Sequence, residues 1–504
     1  MKSITLKIPP AAVTQTSIAV IWDRDHDIAK YEIYVNERLY DAVKRGDCTI
    51  EGLEPGTEYE IHVNGIDSSG SFAAESDIIT ALTRPDGGIY NVCDYGAKGD
   101  GKTRNTRAIQ RAIDECAENG VVVIPAGTFI SGAIYLKSDM SLRLDEGAVL
   151  LGSENPDDYP IKRYRWEGRE HDCYSSLINV KFDSEKRFKN ITIEGKGKID
   201  ASGVALFLAE RAENKAQRGR AVCIRNTDGV YYKDITVKQS PSWCVHTIYS
   251  NGVTANNIKV YTCYDEDRDK RYGHIFNGDG FDPDSCKDVY IFNSMIASQD
   301  DCIAIKSGRD EEGRKVGIPS ENIRITDCRF ENGFGVAIGS ETSGGVRNVL
   351  VRDCEFTHVY SIGSVKSPRG RGNVIENILY ENCIGEYQDT EHKDCEWFRG
   401  GIYVDNFYSV IQFDSSAEEP VTDATPKIRN VTFRNIRMKS SVSNAVYLAG
   451  LPESPLEDIT LLNVTAEGPK GMKAFNIRGL TMKNVEIITN DPEMYHYENV
   501  VMND

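Results

Sequence analysis

One short unit recurs along most of this chain. It reads Asn or Asp, then Ile or Val, any residue, an apolar residue, any residue, Asn or Asp, and a further apolar residue. It begins at Asn190-Ile191-Thr192-Ile193 and Asn257-Ile258-Lys259-Val260, and continues through Asn322–Cys328, Asn348–Cys354, Asn377–Cys383, Asn430–Ile436 and Asp458–Val464. The steps from Ile323 to Val349 to Ile378 are 26 and 29 residues. Alternation within each unit turns one face inward. A single short strand cannot bury that face alone, so the units must stack. The expectation is an all-β chain built around a right-handed parallel β-helix, with Asn side chains at the corners bonding the backbone at the bends. Cys328, Cys354 and Cys383 take the register position of Ile436, Val464 and Val485. They read as small interior hydrophobes rather than disulfide halves, which suits a reducing compartment.

A solenoid also accounts for the length, because 504 residues exceed one ordinary compact domain, whereas a stack of turns grows along one axis. The formal net charge of −18 argues against a nucleic-acid partner, and means that an anionic substrate must be held by local cations. No apolar run is long enough to span a membrane. Met1-Lys2-Ser3-Ile4-Thr5-Leu6-Lys7 lacks the apolar core of a signal peptide. The expected location is cytoplasmic, or secreted if a leader has been removed. Thirteen cysteines cannot all pair within one chain, and no CxxC pair suggests zinc. Neither a metal nor a cofactor is expected.

Residues 1–85 read as short alternating strands, among them Ser17–Trp22 and Lys30–Val35. Trp22 on an early strand, with the corner Leu53-Glu54-Pro55-Gly56-Thr57-Glu58-Tyr59, resembles a fibronectin type III β-sandwich. It carries no cluster of polar catalytic residues and is expected to be a packing or spacer domain. Thr83-Arg84-Pro85-Asp86-Gly87-Gly88 is the linker, and a second domain runs over 90–504. The glycine-rich loop Asp94–Gly101 fails as a phosphate cradle, since no Gly-Lys-Ser/Thr follows it. The spacing of Ala108, Ile109, Ala112, Ile113 and Cys116 predicts an amphipathic helix over 107–118, capped by Thr103 or Asn105, that closes one end of the solenoid.

Asn277-Gly278-Asp279-Gly280-Phe281-Asp282 and Gln299-Asp300-Asp301 stand about one turn apart, 21 residues from Asp279 to Asp300. Stacking sets Asp279 beside Asp300 and Asp301. Crowded carboxylates raise the pKa of at least one, and an acid kept protonated beside an ionised base is what glycosidic hydrolysis needs. An Asx-rich turn is the bland reading. A calcium loop fits poorly, because Asp279, Asp282 and Asp284 lack the spacing of a helix–loop–helix site. Three more stretches converge there: Gln239–His246, Gly333–Glu341 and Ser364–Gly372. They bring Lys366, Arg369 and Arg371 toward the acids and Lys306, although a solvated basic loop would equally explain the two arginines.

Together these motifs, with Arg165-Trp166-Glu167-Gly168, resemble glycoside hydrolase family 28, the polygalacturonases, from about Tyr90 onward. The resemblance implies an inverting hydrolase of α-galacturonosyl bonds in pectin. It makes Asp300 the general acid, Asp279 and Asp301 the pair that holds and activates water, and Lys366 a ligand of substrate carboxylate. Asn277, Lys306, Phe334, Glu341, Arg369 and Arg371 complete the expected substrate contacts. The insert Gly308–Arg314 looks like the bacterial exo-acting branch, whose loops would close one end of a groove. Adjacent Asp300 and Asp301 would face opposite sides of a regular strand, so a strand end or bulge is expected there. The chain departs from the family twice. The family's Gly-His-Gly is Gly333-Phe334-Gly335, and its Arg-Ile-Lys is Ser364-Val365-Lys366. Losing a cation and gaining a phenyl ring suits a neutral leaving sugar, as in rhamnogalacturonan hydrolases of the same family. The expected partner is a pectic oligosaccharide or polysaccharide. The competing readings are an exo-polygalacturonase on homogalacturonan, a calcium-dependent pectate lyase, and a non-catalytic β-helix glycan binder.

Overall fold

The computed structural model describes residues 2–181, 187–213, 215–262, 275–388, 398–410 and 413–503. Strands from Lys2 to Leu82 form a small sandwich, with one sheet built around Glu58–Asp67 and a second made of Ser17–Ile21 paired antiparallel with Asp47–Glu51. Trp22 is buried and packs 5.2 Å from Tyr31, ring to ring. The Tyr59 hydroxyl accepts the Glu54 amide at 2.9 Å, which fixes the predicted corner.

Beyond the linker the chain winds into a right-handed parallel β-helix of three strands per turn, each strand pairing with the strand one turn on. One of its sheets matters most for function. It stacks Phe281–Asp284, Ile303–Ile305, Val336–Gly339, Gly363–Lys366 and Gly400–Asp405. Phe281 pairs with Ile303, Ile303 with Val336, Val336 with Gly363 and Gly363 with Ile402. Alternation sends Phe281, Ile303, Ile305, Val336, Ile338 and Val365 into one continuous core, while their neighbours face outward.

The corners are made by Asn and Asp in the left-handed region. Asn322, Asn348, Asn377 and Asn430 have φ between 53° and 59°, as do Asp327, Asp353, Asn382 and Asn435 between 52° and 57°. Short polar side chains tolerate that conformation best after glycine. These side chains do not bond the bend backbone as expected. They bond one another along the axis: Asn348 donates to Asn322 at 3.1 Å, Asn377 to Asn348 at 3.0 Å and Asn430 to Asn377 at 2.7 Å. A second ladder joins Asp353, Asn382, Asn435, Asn463 and Asn484. Repeating αL corners place identical amides one strand spacing apart, and each amide has both a donor and an acceptor to share. The residue after each corner points inward, so Cys328, Cys354 and Cys383 are buried free thiols.

The predicted helix is Thr106–Glu115, and its face of Ile109, Ala112 and Ile113 joins the core beside the first turns. Asn105 occupies its N-cap position without capping it. Its side chain instead accepts the Lys98 amide at 2.8 Å and donates to Thr103 O at 2.7 Å, which pins the glycine-rich loop.

The sandwich packs on a different sheet of the β-helix from the one just described. Ala12, Ala19 and Ile21 bury Tyr231 and Phe292. Arg24 reaches Asp327 and Asp353 at 3.3 and 3.1 Å, and Glu51 pairs with Lys233 at 2.6 Å.

Candidate active site

The acids sit where strands begin. Asp279 precedes Phe281–Asp284, and Asp300 and Asp301 occupy the bend before Ile303–Ile305. The expected strand end is present, and both adjacent carboxylates line one cleft. Two backbone bonds set their register: Gly280 N donates to Asp301 O at 3.0 Å, and Asp300 N to Gly278 O at 3.2 Å. Gly280 has no alternative, because a Cβ there would meet Ile296 at 2.2 Å and Cys302 O at 2.5 Å. Phe334 N from the next turn and Ser298 Oγ from the same turn donate to Asp300 O at 3.0 and 2.7 Å. Gly333, at φ +65°, allows this approach, since its Cβ would stand 2.0 Å from that oxygen.

The cleft encloses about 540 Å³. Lys366 Nζ binds Asp301 Oδ2 at 2.7 Å, and Asp301 Oδ1 is buried without a partner among the described residues. Lys306 Nζ stands 3.2 Å from Asp279, 3.3 Å from Glu341 and 3.8 Å from Asp282, with the Trp243 ring 4.6 Å away. All of these charged groups are buried, whereas Asp300 is half-exposed. Burial pushes the Asp301 carboxyl up to about 6, against Lys366, with the negative charge of Asp300 adding to the rise. Burial likewise raises Asp279 well above the usual range, opposed by Lys306 and reinforced by Asp300 and Asp301. Burial also works against Glu341, but Lys306 and Arg371 outweigh it and hold its carboxyl below the usual range.

A hairpin and a short helix add to the lining of the cleft. The hairpin of Ile161–Trp166 and Arg169–Tyr174 meets the short helix Asp310–Val316. Arg309 pairs with Glu167 at 3.2 Å, and both line the cleft. Asp310 accepts from Arg169 and from Arg371, each at 2.5 Å. The hairpin is anchored below by Arg165, which reaches Asp284 at 2.6 Å, and by Trp166 stacked on Trp243.

Of the residues expected from sequence, Asp279, Asp300, Asp301, Asn277, Lys306, Glu341, Lys366 and Arg371 converge on the cleft. Arg218 donates to Asn277 Oδ1 at 2.7 Å and orients it. Phe334 does not line the cleft. It stacks on Tyr360 at 4.7 Å and packs against the core, because the next turns stack Tyr360 and Tyr387 in the same aromatic column. Arg369 also turns away: Glu453 holds it at 2.7 Å, over the Phe407 ring. His246, expected to converge on the acids, is buried against Asp284 at 3.3 Å, while its neighbour Trp243 reaches the cleft. Sequence reasoning missed Tyr408 and Ser409. They lie in a turn that spans 53 residues from Asn377 to Asn430, where no repeat signal runs. Glu167 and Arg309 lay within stretches already singled out, but nothing local aimed them at the acids.

Carboxylates and lysines gathered in a groove on the outside of a parallel β-helix define a glycoside hydrolase. The chain belongs to the glycosyl hydrolases family 28, which matches residues 119–489. A fibronectin type III domain matches residues 8–81. The chain is 27% identical to an exo-poly-alpha-D-galacturonosidase of Dickeya chrysanthemi over 75% of this chain and 73% of that protein. It is 30% identical to a "Probable polygalacturonase" of Vitis vinifera over 74% and 73%. In fold it resembles the family 28 exopolygalacturonase of Yersinia enterocolitica, with a TM-score of 0.84 at 23% identity, covering 100% of this chain and 99% of that one.

Proposed function

We propose that this protein hydrolyses α-galacturonosyl linkages in pectic oligosaccharides with inversion, acting from one chain end. The observation that carries the reading is the single cleft in which Asp279, Asp300 and Asp301 meet two buried lysines. Asp300, half-exposed with its backbone tied to the next turn, donates a proton to the glycosidic oxygen. Asp301 holds one oxygen on Lys366 and keeps the other free to take a proton from water. Asp279 shares that water, and Lys306 tempers the negative charge that builds on the pair. Lys366 faces the cleft, as binding of a uronic acid requires. Exo action is supported by the hairpin and short helix that bring Glu167 and Arg309 into the cleft.

A neutral sugar is the preferred leaving group. Ser364 stands where the family has arginine, and it is fully buried between Ala337 and Tyr403. Neither neighbouring arginine replaces the lost one, since Arg369 is committed to Glu453 and Arg371 to Asp310. A charge-assisted hydrogen bond is worth about 1.5–3 kcal/mol, roughly 10- to 150-fold in specificity. The test is kcat/KM on matched oligosaccharides whose leaving sugar is rhamnose or galacturonate, with product masses recorded. We expect the rhamnose series to be favoured by about that factor. A clear preference for the all-galacturonate series overturns the leaving-sugar reading, and unsaturated products overturn hydrolysis itself.

A further inference from the structure

Asp282 is a buried acid for which the proposed reaction has no use. It is completely buried on the strand Phe281–Asp284, and neither of its carboxyl oxygens has a hydrogen-bond partner among the described residues. Its nearest cation is Lys306 at 3.8 Å, which stands closer to Asp279 and Glu341. Two residues on, Asp284 shows the contrast. It lies equally deep, but it holds Arg165 at 2.6 Å and His246 at 3.3 Å, and its carboxyl stays far below the usual range despite burial. An ionised carboxylate with no donor is among the most costly groups to bury, and a neutral carboxyl is much less so.

We propose that Asp282 is a positioning residue that carries a proton: a neutral carboxyl packed beneath the acid cluster, so that Lys306 is shared by Asp279 and Glu341 alone. This rests on the catalytic reading given above. The charged and titratable groups that face Asp282 are Asp279 on its own segment, Lys306 and Asp301 from the next turn, Glu341 from the turn after, and Cys244 and His246 from the turn before. Burial keeps the His246 imidazole down at about 4, so it offers no charge near neutrality. Burial first, then Asp279, raises the Asp282 carboxyl, and Lys306 opposes them. Ionised, Asp282 would draw Lys306 away from Asp279 and set a second negative charge behind the water-holding pair.

The test compares the full-length protein with Asp282→Asn and Asp282→Ala. In the unfolded chain Asp282 ionises near pH 4, whereas in the folded chain it stays protonated. Its burial therefore costs stability increasingly as pH rises above that value. Asp282→Asn, which is neutral and similar in shape, removes this cost. Its Tm should exceed that of the wild type at pH 8 and approach it near pH 4. Infrared difference spectra should show the wild type's protonated-carboxyl band missing from the variant near neutral pH. Asp282→Asn should also rescue kcat/KM at the optimum to within about threefold of wild type, whereas Asp282→Ala, which leaves a void behind Asp279, should fall further. A Tm for Asp282→Asn below wild type at pH 8, or an unchanged carboxyl band, overturns the proposal. Both readouts are independent of turnover, so they hold even if the catalytic roles are assigned wrongly.

Discussion

At the scale of single residues, the site depends on side chains held by the backbone of the neighbouring turn. Asp300 is the clearest case, its carbonyl bound by Phe334 N of the next turn while its carboxylate stays half-exposed. Asp300→Asn is nearly isosteric and should leave Tm unchanged while lowering kcat by about 10²- to 10⁴-fold, the usual contribution of a general acid. Turnover close to wild type on the best substrate would refute the assignment. The base gives a second expectation. Asp301 must be ionised to accept a proton, and burial raises its carboxyl to about 6. Activity should therefore fall as pH drops through about 6, rather than near 4 as for an ordinary aspartate. A kcat/KM profile still flat at pH 5 would contradict this role.

At the scale of elements, the same strand repeat serves two ends. Inward residues build the core and the αL corners stack their amides, while the variable loops between strands furnish the wall. Several bonds tie that wall, among them Arg309 N to Gly168 O at 3.0 Å and Glu170 N to Glu312 at 2.9 Å. Asp310 joins Arg169 of the hairpin to Arg371 beyond the Lys366 strand. Asp310→Ala should release both arginines and loosen the closed end. The expected result is a shift from release of terminal sugars toward products of mixed length, read by mass analysis of a time course, with a modest loss of kcat. Strictly terminal release by the variant would mean that Glu167 and Arg309 close the cleft unaided.

At the scale of the whole molecule, the β-helix is one long core, with the sandwich bound to its side by apolar contacts and ion pairs. The cleft lies on another sheet, and among the described residues the sandwich touches none of Asp279, Asp300 and Asp301. The core also shelters thiols. Cys328, Cys354 and Cys383 are buried and free, whereas Cys93 is exposed. A thiol reagent should modify Cys93 in the native protein and reach those three only after denaturation. Mass-mapped disulfides at Cys328, Cys354 or Cys383 would contradict the stacked arrangement.

Local chemistry in the sequence was enough to determine the repeat, its inward face, the corners, the register of the cysteines and the placing of Asp279 beside Asp300 and Asp301. Each of these follows from alternation along a strand and from stacking of successive turns in register. Only the tertiary structure decided which side chains meet across turns. Arg369 and Arg371 are two residues apart, yet one is drawn off by Glu453 and the other reaches the cleft. Asp282 and Asp284 share a strand face, yet Asp284 has an arginine and Asp282 has no donor among the described residues. Phe334 joined an aromatic column because later turns supply Tyr360 and Tyr387. Tyr408 arrives from a 53-residue turn, whereas the turns joined by the Asn322, Asn348 and Asn377 corners span 26 and 29. The physical reason is that strand register depends on residues close in sequence, whereas a cleft is lined by loops whose lengths vary freely and whose charges choose partners a whole turn or more away.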